Sequence, residues 1–165
     1  MALIVETGTG SATAESYASV AQASARMTAM GNDTWATITT AQMEEALRRA
    51  TTYMVQAYRN RWAGMRLLRA QALDWPRYGV STDGFTIEST IVPTEVVNAC
   101  IDLALKAAAG DLAPDLERAI IREKVGPLET EYSAHGAEQT RYRSIDMALA
   151  PFLRWGGPMA RLVRT

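Results

Sequence analysis

The chain has 165 residues, a formal net charge of -1 and 48% hydrophobic residues, the size of one domain able to bury roughly two thirds of the surface its unfolded form exposes. It has no run of about 18 apolar residues and no basic N-terminal segment leading into an apolar stretch, so a soluble protein made in a cytoplasm is expected, with no membrane partner. A single cysteine, Cys100, and a single histidine, His135, rule out an intrachain disulfide and a tetrahedral zinc site built from this chain alone.

In chain order, Leu3-Ile4-Val5 reads as an edge strand or arm, closed by the flexible turn Thr7-Gly8-Thr9-Gly10-Ser11. Ser19 with Gln22 makes a capping box, and the helix it starts runs to about Met30, with Gly31 as its stop. Thr39 with Gln42 repeats the device. Met43, Ala46, Leu47, Ala50, Met54 and Ala57 follow at helical spacing, and Trp35 lies just ahead to cover the helix start. Ala63-Gly64 breaks the period, and Gln71 to Trp75 offer a further helical turn before Pro76. A loop with a turn at Asp83-Gly84 leads to Pro93, placed at the first position of a helix carrying Val96, Ala99, Cys100, Leu103 and Ala107 on one face up to Gly110. The period then becomes two through Ile121, Glu123, Val125, Leu128, Thr130 and Tyr132, which predicts a ribbon or arm around Gly126-Pro127. Ser133 to Arg143 has no apolar period and reads as a mobile loop, Ser144 caps a short last helix reaching Phe152, and a basic tail follows.

The expected fold is mainly α: a bundle of three to four helices with an extended β-ribbon and a flexible C-terminal tail, in one domain. Residues 1–15 form its arm, 16–110 the helical core, 115–133 the ribbon and 144–165 the last helix and docking tail.

Charge is distributed in single-sign blocks: -4 over residues 1–47, +6 over 48–80, -7 over 81–140 and +4 over 141–165. The +6 block holds seven arginines against one acid, Asp74. Such blocks either neutralise one another within a monomer or meet an oppositely charged partner, a nucleic acid or a second copy of the chain.

Catalytic chemistry finds little footing. His135 sits in a polar loop away from any nucleophile, and Cys100 lies on an apolar helix face where a thiol acts as a small hydrophobe. Gly8-Thr9-Gly10 lacks the following helix start of a phosphate loop, and Glu129 with Glu131 suits a solvated strand edge better than acid/base work. No enzyme and no cofactor are expected. The basic segment with Trp62, Trp75 and Tyr78 has two readings. Arginines neutralising phosphates beside rings that stack on bases make a single-strand binder. Alternatively Trp35, Tyr53, Trp62 and Trp75 are core anchors, and Arg48, Arg49, Arg59, Arg61, Arg66, Arg69 and Arg77 face acids of a neighbouring subunit, among them Glu123, Glu129 and Glu131.

Glu15-Ser16-Tyr17, Gly31-Asn32 with Trp35, Glu45-Ala46-Leu47-Arg48-Arg49-Ala50-Thr51, Tyr58-Arg59 with Trp62, Gln71-Ala72-Leu73-Asp74-Trp75-Pro76-Arg77, and Val125-Gly126-Pro127-Leu128 with Tyr132 occur in this order from Leu3 to about Phe152. Together they resemble a family of small tailed-phage proteins, often labelled DnaT-like single-stranded DNA-binding, that look like head-tail connector (adaptor) proteins of long-tailed phages. The resemblance implies a helical protomer assembled as a ring, a dodecamer, beneath the portal, continuing the channel for double-stranded DNA. The ring's partners would be the portal and the next connector, stopper or tail protein, in the neck of a virion assembled in a host bacterial cytoplasm. By the same resemblance Phe152, Arg154, Trp155, Arg161 and Arg164 would dock on the portal.

Overall fold

The computed structural model describes residues 2–114, 120–124, 129–132 and 141–154, with the two segments 120–124 and 129–132 described by their backbone. Four α-helices dominate: α1 Val20–Ala29, α2 Thr40–Tyr58, α3 Thr94–Ala109 and α4 Arg143–Leu149. Three antiparallel pairs accompany them: β1 Met65–Arg66 with β2 Arg77–Tyr78, β3 Ser81–Thr82 with β4 Phe85–Thr86, and β5 Ile120–Lys124 with β6 Glu129–Tyr132. The fold is mainly α with a small β component, as the sequence predicts.

Helix starts follow local chemistry. Both capping boxes form: the Ser19 and Thr39 hydroxyls accept from the amides of Gln22 and Gln42, whose side chains accept in return from the cap amides. Gly31, at φ 68°, turns the chain after α1. Pro93 is extended (φ -55°, ψ 142°) and sits before the first helical residue instead of on it, and α4 starts at Arg143 with Ser144 inside its first turn.

The core lies between α2 and α3, which pack along one another, with α4 against α3 and α1 against both. Leu47, Ala50 and Met54 of α2 and Ala99, Leu103 and Ala104 of α3 belong to this one core, all fully or nearly fully buried. Small residues on facing helices let the backbones approach closely. Ion pairs then tie the bundle at its rim. Arg26 grips Asp102 with two hydrogen bonds of 3.0 and 2.9 Å, joining α1 to α3. Asp146 of α4 accepts from the Tyr58 hydroxyl at 2.8 Å and pairs with Arg61.

Three segments differ from expectation. The arm at Leu3-Ile4-Val5 forms only a single parallel bridge, Val5 with Ser16. The Gly-rich turn is not loose, because it wraps the Glu6 carboxylate: Oε1 accepts from the amides of Gly8, Thr9 and Gly10 at 2.8, 2.8 and 3.0 Å, and Oε2 from Ser11 at 2.8 Å. Residues 71–75 are not helical. Side chains take the backbone groups a helix would use: Gln71 donates to the Leu73 and Pro76 carbonyls, and Arg77 donates to that of Asp74. Of the expected ribbon, β5 and β6 pair from Ile120 with Tyr132 to Lys124 with Glu129. The Gly126-Pro127 turn, residues 133–140 of the expected loop and the tail from Trp155 lie outside the described residues.

Candidate binding surface

After α2 the chain must reverse, and aromatic rings anchor the reversal. Tyr58, Trp62, Trp75 and Phe152 stack in a line with successive ring centroids 5.8 Å apart, the last two pairs edge to face. All four are buried, as is Trp35, whose indole N–H donates to Ser24. Tyr53 is half-buried, with its ring edge-on to Tyr142 at 5.4 Å. Trp62 and Trp75, at 1% and 0% exposure, are closed to any base that would stack on them.

Tyr17 holds this reversal from the N-terminal side. Its hydroxyl accepts from the amides of Asp74 and Trp75 at 3.0 and 3.4 Å, and burial, with the Asp74 charge second, pushes its pKa well above the ordinary value of 10.0. Arg77 holds it from the other side. This guanidinium donates to the carbonyls of Ala63 (2.7 Å), Asp74 (3.0 Å) and Gly64 (2.9 Å), and burial lowers its pKa. The sequence gives no hint of either Glu6 or Tyr17 as a hub, beyond the acid placed two residues before Gly8-Thr9-Gly10.

The other arginines of the +6 block are also largely engaged within the chain. Arg48 pairs with Glu15 and Glu44, Arg59 with the buried Asp74, and Arg61 with Asp146. Arg49 donates to the Ala107 and Gly110 carbonyls at the end of α3, and Arg66 to the Gln71 carbonyl. Only Arg69 of the seven has no ion pair or hydrogen bond among the described residues. The block therefore spends most of its charge on its own fold, although Arg49, Arg59, Arg61 and Arg69 remain exposed and Arg66 is half-buried. The side chains of Glu123, Glu129 and Glu131 lie outside the described residues.

The pairing of β1 with β2 sorts the remaining side chains. Met65 stands opposite Tyr78 and Arg66 opposite Arg77; with Arg77 turned inward, alternation turns Met65 and Tyr78 outward. Met65 is 56% exposed, Tyr78 43%, nearby Leu68 48%, and Phe85 on the β3–β4 hairpin 78%. Sequence reasoning singled out Tyr78 alone of these large exposed apolar residues, which lie in the segment of Arg66 and Arg69 and in the hairpin after it, and missed Phe85. Its signal was an aromatic directly after the Asp83-Gly84 turn, a place where burial is difficult. Of the expected docking residues, Phe152 is a buried plug against Trp75, and Arg154 is exposed, donating to the Gly64 carbonyl at 3.2 Å; Trp155, Arg161 and Arg164 lie outside the described residues.

Among the described residues no group of three or more His, Cys, Asp or Glu is placed to hold a metal, and no helix is long and apolar enough to cross a membrane. The Cys100 thiol is buried against Thr51, and burial raises its pKa, which disfavours the reactive thiolate.

A family described as "Putative DnaT-like ssDNA binding protein" matches residues 1–165. The chain belongs to this family. No curated protein and no solved structure matches it. For this DnaT-like chain, the family description sets single-stranded DNA beside a structure in which the two best stacking residues of the arginine segment are sealed in the core.

Proposed function

We propose that the protein is a non-enzymatic structural adaptor, a head-tail connector of a tailed phage that assembles as a ring below the portal and extends the DNA channel. Support comes from the resemblance of its sequence strings to that class and from one structural observation above the rest: Trp62 and Trp75 are buried and most of the neighbouring arginines are satisfied in-chain. A channel wall has to let duplex DNA slide, and few free cations on a rigid frame suit that better than a dense set of phosphate contacts. Electron microscopy of the protein mixed with a cognate portal tests the reading, the expected image being a ring stacked coaxially on the portal. A portal that stays bare at saturating protein sinks it.

The second reading is a single-stranded DNA-binding module, and the family description favours it. Its stacking rings would be Tyr78 and Phe85, with Arg66 and Arg69 on phosphates, in place of Trp62 and Trp75. Oligonucleotide titration at two salt concentrations separates the readings. Affinity tighter than about 1 µM that falls steeply with salt supports the binder, whereas weak, sequence-blind binding supports the connector.

A further inference from the structure

We infer that the β3–β4 hairpin of one copy seats its exposed Phe85 on the Met65, Leu68 and Tyr78 face of another, with acids of the first copy against arginines of the second. The inference rests on the self-assembly that the connector reading requires.

The two surfaces are complementary in charge. Residues 79–105 contain Asp83, Glu88, Glu95 and Asp102 and no lysine or arginine. Asp102 is taken by Arg26, while Asp83, Glu88 and Glu95 are exposed and carry no ion pair among the described residues. The opposite holds for 48–78, where Arg69 is exposed with no ion pair or hydrogen bond among the described residues and Arg66, three residues before it, is half-buried. Each surface also carries apolar side chains that its own fold leaves in water. Phe85 is 78% exposed, so the chain does not fold its hairpin back onto its own Met65 and Tyr78.

A second copy fits better than a nucleic acid. The Ile87 amide donates to the Val80 carbonyl at 2.9 Å and closes the base of the hairpin two residues on from Tyr78. A single strand stacked on Phe85 would meet Asp83, two residues away in the same hairpin, where like charges repel. A protein partner with one acidic and one basic half meets both signs, and this chain carries both halves.

The test uses full-length protein and three variants: Phe85→Ser, Arg69→Glu and Glu88→Lys. All three sites are exposed and make no side-chain bond among the described residues, so far-UV circular dichroism should be unchanged. Sedimentation equilibrium should show self-association weakened about tenfold by each variant, as for close charge pairs and apolar anchors at an interface. An equimolar mixture of Arg69→Glu and Glu88→Lys should regain most of the loss, since each supplies the charge the other now needs. Wild-type protein that stays monomeric up to about 1 mM overturns the contact. Association that persists in all three variants, or a mixture without recovery, overturns it too, while leaving the connector reading to its own portal test. Oligonucleotide binding that Arg69→Glu abolishes and Glu88→Lys strengthens, in a monomeric protein, gives the surface to single-stranded DNA instead.

Discussion

Arg77 provides a direct measure of how much the reversal after α2 depends on one side chain. Arg77→Met keeps most of the length and the apolar stem but removes three N–H donors from the carbonyls of Ala63, Gly64 and Asp74. Of these, Gly64 retains a 3.2 Å bond from Arg154, so two acceptors lose their side-chain donor outright. An acceptor left unpaired in a buried site costs about 1–3 kcal/mol, and removal of one partner from a buried charged network costs about 3–5. Relief from burying the guanidinium offsets part of this, and a net loss of about 4 kcal/mol is expected, a large share of the roughly 5–15 kcal/mol of a typical domain. Urea unfolding followed by tryptophan fluorescence should then move its midpoint down by roughly 2 M at unchanged slope. Arg77→Lys should lose about half as much, because an ammonium cannot reach three divergent carbonyls. Arg69→Met, at the exposed and unpartnered arginine, should stay within about 0.5 kcal/mol of wild type. A loss below about 1 kcal/mol for Arg77→Met, or an Arg77→Lys protein as stable as wild type, refutes the three-carbonyl account.

Gly64→Ala should destabilise by more than about 2 kcal/mol, because the position has φ 64° and an added Cβ would meet the Tyr78 carbonyl at 2.3 Å; Gly79→Ala, at φ 71° with nothing near the new carbon, should cost about 1 kcal/mol, and equal costs in thermal melts would contradict this. Burial raises the pKa values of Tyr17 and Tyr58 above the ordinary 10.0, so the native state holds protons that the unfolded state releases; stability is intact below pH 10.0 and falls as pH rises beyond it, and Tyr17→Phe should flatten that fall. An alkaline unfolding series in which the two proteins decline in parallel would remove Tyr17 from the account. Glu6→Gln turns one acceptor into a donor facing the amides of residues 8–11 and should cost about 2 kcal/mol, with hydrogen exchange at Gly8 to Ser11 accelerated in the variant; unchanged exchange would mean the loop holds its shape unaided.

The helices were legible because their signals are local. Ser19 with Gln22 and Thr39 with Gln42 determine two starts by groups three residues apart, and the spacing of Met43, Leu47, Ala50 and Met54 defines the buried face of α2 without reference to the rest of the chain. Residues 71–75 differ from the helical turn expected of them for the opposite reason. Whether Gln71 to Trp75 coil into a helix depends on Tyr17, fifty-seven residues from Asp74, and on Arg77 reaching back to Ala63 and Gly64. Nothing in the local string reports those contacts. Composition also misled at the arginines: a run of like charges reads as a free patch only while its partners are unknown, and Glu15, Asp146 and the α3 carbonyls come from distant parts of the chain.

The same long-range contacts separate what the arginine and tryptophan segment is made of from what it offers to a partner. Trp62, Trp75 and Phe152 form a pillar that binds the end of α2 to the last described turn of the chain, with the Ala63 amide on the Phe152 carbonyl at 2.9 Å and the Arg154 amide on that of Arg61 at 2.6 Å. Buried tryptophans can report a nearby event through their environment, but they cannot stack on a base without opening the core. Among the described residues, single-stranded DNA binding by this DnaT-like protein that leaves the pillar intact has exposed rings to use in Tyr78, on the strand paired with Met65–Arg66, and in Phe85, two residues from Asp83. Asp83 beside Phe85 repels a polyanion at that ring, whereas Tyr78 has Arg66 and Arg77 as its strand neighbours, so the two rings offer a phosphate backbone opposite electrostatics.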